Sequence, residues 1–349
     1  MSEEILEGVA ASDFHFDGLN KHFPDANERI IQEMEKIYQY ALKNGIKHVF
    51  MPGDLADTPN LDWDTYGMLF DFFMKYDGLI HSYYIAGNHD FADIVNTSMN
   101  FLHKLSKSRA FKTLHIFLKP ERREIDGIPV NFLPYPCLET LSTKKGAVNF
   151  AHVEYNGAIG DNGRSLKTKH ELAQHKNDFT VSGHIHQYQY METRRAVYCG
   201  NPFQKNFGES LPKGFIHFRA TLNKNKIDFK HNFVLNKPNF ELVNLHIDDI
   251  NDFKKLQHSN NIRYKLHVDS EVPVPADLML NYPNITGGIF VSGQKKAKGK
   301  EEEEAKIEKV DIDLTTGLKQ HLVAAGLDKK MIKRAKMEVQ KAKNALGII

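Results

Sequence analysis

Lys47-His48-Val49-Phe50-Met51-Pro52-Gly53-Asp54-Leu55-Ala56-Asp57 changes from apolar to acidic at a single glycine. Lys47–Met51 has the short, largely apolar texture of a strand buried on both faces. Gly53 lets the backbone turn sharply after it and present Asp54. Reading outward, the same arrangement of an apolar run tipped by polar residues recurs. Gly8–Ser12 leads into Asp13-Phe14-His15, Leu79–Ile85 into Gly87-Asn88-His89-Asp90, Val148–Ala151 into His152, and Phe179–Ser182 into Gly183-His184-Ile185-His186. The first of these runs is the weakest strand. Val130–Leu133 is a further strand candidate without a polar tip. Helical spacing lies between the runs, with Ile30, Met34, Ile37, Tyr38 and Leu42 in Ala26–Lys43, and again over Thr65–Tyr76. The alternation predicts an α/β domain whose five motifs gather at the carboxyl ends of its strands.

The residue types at those ends suit divalent cations. Asp13, His15, Asp54, Asn88, His152, His184 and His186 offer oxygen and imidazole donors, which match manganese, iron or zinc. The absence of a cysteine ligand argues against a structural zinc site. In Asp13-Phe14-His15 and His184-Ile185-His186, alternate side chains leave a strand on one side, so both can reach one cluster. Asp54 is the natural carboxylate to bridge two ions. Asn88 adds a neutral oxygen that limits negative charge near an anionic substrate. Thirteen of the eighteen histidines lie outside these motifs and are read as ordinary core and loop residues.

The 349 residues carry a net charge of +2, with 41% hydrophobic and 26% charged residues, which fits a folded chain and gives no global basic footprint for nucleic acid. Cys137 and Cys199 are expected to be free thiols. With no long apolar run and an acidic Met1-Ser2-Glu3-Glu4, the chain is expected to be cytoplasmic, with no membrane contact. Four segments are expected: a domain over 1–218, a smaller α+β domain over 219–292, a charged linker over 293–306, and a helical element over 307–349. The last holds Leu314–Ala325 and Lys329–Leu346. The second of these has an apolar face (Met331, Ala335, Val339, Ala342, Leu346) that suits either a partner or its own protein.

The five motifs in order resemble the calcineurin-like metallophosphoesterase superfamily, whose pattern is D-x-H, G-D-x-x-D, G-N-H-[DE], H and G-H-x-H. The resemblance implies an α-β-β-α sandwich and two bound metals. One metal would be held by Asp13, His15, Asp54 and His186, the other by Asp54, Asn88, His152 and His184. His89 would be a catalytic non-ligand acting as general acid or charge stabiliser, with Asp57 as the carboxylate that orients it and Asp90 as the competing candidate. The stretch Val197-Tyr198-Cys199-Gly200-Asn201-Pro202-Phe203, then Gly208-Glu209 and Lys213-Gly214-Phe215, resembles the "Y-x-G-[ST]-P…G-E…K-G-F" stretch of the recombination and double-strand-break repair nucleases. These are the SbcD type and its T-even phage relatives. Asn201 stands where Ser or Thr is usual.

That narrower resemblance implies a manganese-dependent DNA nuclease, both 3′-to-5′ exonuclease and single-strand endonuclease, in a bacterial or phage-infected cell. It would form a homodimer, cap its DNA with the second domain, and dock on the coiled coil of an SMC-like ATPase through helices 314–346. His22, Lys144, Lys145, Arg164, Lys167, Lys169, Arg194 and Arg195 are the basic or polar residues near the motifs that such a nuclease could set against phosphates. The rival readings are a stand-alone phosphoesterase acting on small nucleotides or phosphoproteins, and a non-catalytic subunit of a repair complex.

Overall fold

The computed structural model describes residues 4–292 except 94, 95, 109, 142, 143, 162, 210, 257 and 270. In chain order the elements are β1 (Ile5–Ala10), α1 (Ala26–Lys43), β2 (His48–Pro52), α2 (Trp63–Tyr76), β3 (His81–Ile85), α3 (Asn100–Lys107), β4 (Leu114–Phe117), β5 (Glu121–Ile125), β6 (Ile128–Leu133), β7 (Val148–His152), β8 (Phe179–Gly183), β9 (Gln189–Met191) and β10 (Ala196–Tyr198). Then follow β11 (Gly214–Asn223), β12 (Lys226–Leu235), β13 (Glu241–Ile247), α4 (Ile250–Lys255), β14 (Ile262–Asp269), α5 (Leu278–Asn281) and β15 (Ile289–Ser292). The expected linker and the helices over 314–346 lie outside the described residues.

Two six-stranded mixed sheets form the core, ordered β12-β11-β1-β2-β3-β4 and β5-β6-β7-β8-β10-β9. In each, four strands run parallel, β1 to β4 in the first and β6, β7, β8 and β10 in the second. Antiparallel pairings add β11 and β12 at one edge of the first sheet, and β5 and β9 at the two edges of the second. The fold is therefore mixed α/β.

Burial explains the layering. α1 turns Ile30, Met34, Ile37, Tyr38 and Ala41 inward, and with Leu69, Phe72 and Phe73 of α2 it covers Val9, Val49, Met51 and Tyr84 on one face of the first sheet. The other face meets the second sheet through stacked aromatics, with Phe50 and Phe150 at 4.0 Å and Phe117 and Phe132 at 3.8 Å between centroids. Each such ring contributes about 1.5–3 kcal/mol by leaving water. The outer face of the second sheet is covered by Val153, Tyr155, Ala158 and Leu172 from the chain that follows β7. No α-helix among the described residues lies between β7 and β8, so loops stand where a second helical layer was expected.

The second module begins later than the sequence suggests. β12, expected in the α+β domain, pairs along its whole length with β11 and is the edge of the first sheet. Its hairpin turns at Lys224 and Asn225, both with positive φ (47° and 70°), as a tight two-residue turn requires. The module proper is the parallel sheet β13-β14-β15 with α4 and α5 on one face. It is anchored through Phe240 and Leu242, which enter the first core, and through Arg263, whose Nε donates to His22 O at 2.6 Å. These residues belong to one compact unit, Met1–Gln294. Among the described residues no helix is long and apolar enough to cross a membrane.

Candidate metal centre

β1, β2 and β3 of one sheet and β7 and β8 of the other end on the same side, and the five motifs follow those ends. The backbone there is bent into conformations that most residues avoid. Asp13 (φ 59°), His15 (48°), Asp54 (51°) and His184 (83°) are left-handed, four of the nine such non-glycine residues among those described. Asp and His tolerate this region better than most, yet it still costs about 1–3 kcal/mol per residue, so the surrounding structure must hold it. Close packing enforces it at the neighbouring glycines. A Cβ on Gly53 (φ 103°) would lie 2.0 Å from His152 Nδ1, and one on Gly87 would lie 2.2 Å from Asp54 Oδ1.

All seven expected donors come together, and they fall into two groups around Asp54. In one, His15 Nε2 and His186 Nε2 face each other at 3.2 Å, with Asp13 Oδ1 3.9 Å from His186 and Asp54 Oδ2 3.8 Å from His15. In the other, Asn88 Oδ1 lies 2.9 Å from His152 Nε2 and 3.0 Å from His184 Nδ1, with Asp54 Oδ2 3.3 Å from His152. Asp54 Oδ2 is the atom common to both. Asp13, His15, Asp54 and His152 are buried, whereas Asn88, His184 and His186 are half-buried.

The outer nitrogens explain why these donors fit a cation. His152 Nδ1 donates to Pro52 O at 2.9 Å, His184 Nε2 to Glu154 at 3.1 Å, and His186 Nδ1 to Glu209 or Asp161, each at 2.9 Å. His15 Nδ1 is 3.2 Å from Asp57 Oδ1. With the outer nitrogens of His152, His184 and His186 protonated, their inner nitrogens present lone pairs, as metal-ligating histidines do, whereas His15 Nδ1 lies between Asp57 and Lys205 Nζ, the latter at 3.0 Å. His15 Nε2 and His186 Nε2 at 3.2 Å need a proton or a metal cation between them. Without a metal, protons serve instead. Burial lowers the affinity of His186 for a proton, but Asp161 and Glu209 raise it to about 10. Burial likewise opposes charge on His152, and Asp54 raises it to about 9. The Asp54 carboxyl is pushed up by burial and more strongly down by His152, His15 and His89, so it stays ionised. These buried His and Asp groups can hold a metal ion.

His89 stands beside the first group, its ring edge-on to His15 at 4.8 Å. Its orientation differs from the expectation. Nδ1 donates to the main-chain oxygen of Asp57 at 2.8 Å, while the Asp57 carboxylate turns to His15 and to Lys205 Nζ at 2.6 Å. Asp90 does not reach His89 either. Its buried oxygens accept from the amides of Asp54 (3.0 Å), Ala56 (3.0 Å) and Gly87 (2.8 Å) and from the Tyr84 hydroxyl. Asp90 therefore ties two motif loops together. Burial, then the charge of Asp54, pushes its carboxyl up to about 6.

Sequence reasoning missed Glu154, Asp161 and Lys205, which have no local signature. Glu209 and Lys213 were read only as marks of resemblance. A cavity of about 380 Å³ opens beside Asn88, His152 and His184, walled by Tyr135, Leu138, Thr168 and His170. Lys167 and Lys169 flank Thr168 and are exposed, as are Lys144, Lys145 and Arg164. His22, Arg194 and Arg195 make contacts within the fold. His22 pairs with Thr286 at 2.9 Å, Arg194 with Glu171 at 2.9 Å, and Arg195 Nε donates to Asp178 O at 2.9 Å.

No protein-family model and no curated protein matches the chain. Among solved structures it is similar to GAP50, the anchor in the inner membrane complex of Plasmodium, at 12% identity and a TM-score of 0.33, covering 66% of this chain and 84% of that one. It is also similar to vacuolar protein sorting 29 from Cryptosporidium parvum, at 10% identity and a TM-score of 0.29, covering 67% and 98%. Likenesses this low carry no functional inference.

Proposed function

We propose that the chain is a two-metal phosphodiesterase of the metallophosphoesterase type, and that its substrate is DNA. The observation that carries the reading is the pair of donor groups sharing Asp54 Oδ2, with every inner imidazole nitrogen facing its group. Two divalent ions, manganese the expected metal, would supply the Lewis acidity that activates water and stabilises charge on the phosphoryl oxygens. Asp13, His15, Asp54 and His186 would hold one, and Asp54, Asn88, His152 and His184 the other.

The chain's own residues do the rest. Asp54, flanked by Gly53 and tied through its amide to Asp90, keeps the two groups in register. His89, with Nδ1 committed to Asp57 O, has Nε2 left to hold or deliver a proton at the leaving oxygen. The cavity lined by Tyr135, Leu138 and His170 has room for one residue of a substrate next to Asn88. DNA as substrate, the exonuclease and endonuclease modes, the homodimer and the SMC-like ATPase partner rest on the resemblance of the stretch from Val197 to Phe215 and on the layout beyond it.

The test compares manganese-dependent release of nucleotides from a DNA duplex with hydrolysis of bis-p-nitrophenyl phosphate, both with the partner ATPase present. Both activities are expected. Ester turnover without DNA turnover would refute the nuclease reading in favour of a stand-alone phosphoesterase. Absence of both, with metal bound, would favour a structural subunit.

A further inference from the structure

Behind His186 lies a buried ionic network for which the phosphodiesterase chemistry has no direct use. Glu209 Oε1 is 2.9 Å from His186 Nδ1, a distance matched by Oδ2 of the partly exposed Asp161, and accepts from Asn206 Nδ2 at 3.0 Å. Its Oε2 accepts from Lys213 Nζ (2.6 Å), Asn201 Nδ2 (3.1 Å) and the amide of Lys205 (3.2 Å). Lys213 Nζ donates as well to Asn201 Oδ1 at 2.7 Å and to the main-chain oxygen of His186 at 3.2 Å. The Glu209 and Lys213 side chains are 0% and 2% exposed. Taking such a pair out of water is costly, and it persists only where hydrogen bonds are complete, as here. So complete a network holds one imidazole ring in place from both its side chain and its backbone.

The other histidines are backed differently. His152 leans on Pro52 O, and His184 leans on Glu154, which is 40% exposed. The segment 201–213 supplies Glu209 and Lys213 behind His186, and also Lys205, whose Nζ grips Asp57 behind His15. Both histidines of the Asp13 group are therefore braced from this one segment. In the Asn88 group, His152 and His184 lean on Pro52 and Glu154, which lie outside it.

We propose that Glu209, with Lys213 and Asn201, is a positioning residue that fixes the His186 ring and thereby sets the affinity for one ion only, the one on the Asp13, His15 and His186 side. This rests on the two-metal reading and adds to it an unequal support of the two ions. It also gives the motif Asn201, Glu209 and Lys213 a physical purpose. The asparagine amide both donates to Glu209 and accepts from Lys213, bridging the pair.

The experiment titrates Mn²⁺ into the metal-stripped full chain, followed by calorimetry and by the paramagnetic resonance of free Mn²⁺. The unsubstituted chain should show two binding events. Glu209→Gln keeps the shape and removes the charge; one event should weaken by about 10–100-fold while the other is unchanged. Glu154→Gln should weaken the other event instead. Asn201→Ser leaves the Glu209–Lys213 pair in place and should weaken the same event as Glu209→Gln, by less. It also serves as the test if Glu209→Gln does not fold, as judged by thermal unfolding in EDTA. Equal weakening of both events, or of neither, overturns selective positioning. Failure of the unsubstituted chain to bind two ions overturns the two-metal reading and this inference together.

Discussion

His89 and Gly53 separate chemistry from architecture at single positions. His89 belongs to neither donor group around Asp54, so His89→Gln should leave Mn²⁺ binding intact and lower phosphodiester hydrolysis by about 10²–10⁴-fold. Unaltered turnover in that variant removes His89 from the mechanism. Gly53→Ala should do the reverse, acting through the fold. Its Cβ would meet His152 Nδ1 at 2.0 Å on a backbone with φ 103°. A loss of about 1–3 kcal/mol is expected in denaturant unfolding, with weakened Mn²⁺ binding. A variant as stable as the parent would mean that the turn relaxes. The seven donors were legible because their motifs follow apolar runs. The role of Asp57 was not. Its carboxylate is claimed by Lys205, and nothing near Asp57 in the sequence announces a lysine so far along the chain.

Among the elements, α1 and α2 were legible from the helical period of their buried faces, and β2, β3, β6, β7 and β8 from apolar runs. β9 and β10, three residues each, are too short to show a period. β12 was visible as a strand, but its sheet was not, because pairing is decided by a partner rather than by local pattern. The junction between the module and the first core holds a titratable group, His22, packed edge-on against Phe207 at 5.1 Å and bonded to Thr286. Burial, then the charges of Lys21 and Arg263, holds its imidazole down at about 4 against the ordinary 6.5. On acidification the unfolded chain therefore takes up this proton first. The stability due to neutral His22 is complete above about pH 6.5 and is lost as the pH falls towards 4. The urea midpoint should drop between pH 7 and pH 5, and drop less in His22→Asn. Equal drops would show that other histidines carry the effect.

For the molecule as a whole, the donors come from both sheets, so bound ions would join the two layers at one end. A ligand present at 100 times its Kd stabilises by about 2.7 kcal/mol per site. EDTA should therefore lower the thermal midpoint of the parent and of His89→Gln alike, and lower that of His152→Ala by less, since one of its two donor groups is left intact. A midpoint indifferent to EDTA in the parent would mean that no ion bridges the sheets. The two-sheet organisation was legible only as α/β alternation, since the face on which each strand lies depends on contacts distant in sequence. One such contact has a bearing on synthesis. β1 takes β11 as its antiparallel neighbour, and β12 lies beyond it. β1, made before the rest of its sheet, thus waits for the last two strands of that sheet, and His186, Glu209 and Lys213 emerge well after it too. A nascent chain halted before residue 213 has an open sheet edge and lacks Lys213 behind His186. Ribosome-bound fragments ending there should be sensitive to protease and need chaperones, and the support behind His186 is complete only as translation passes that point.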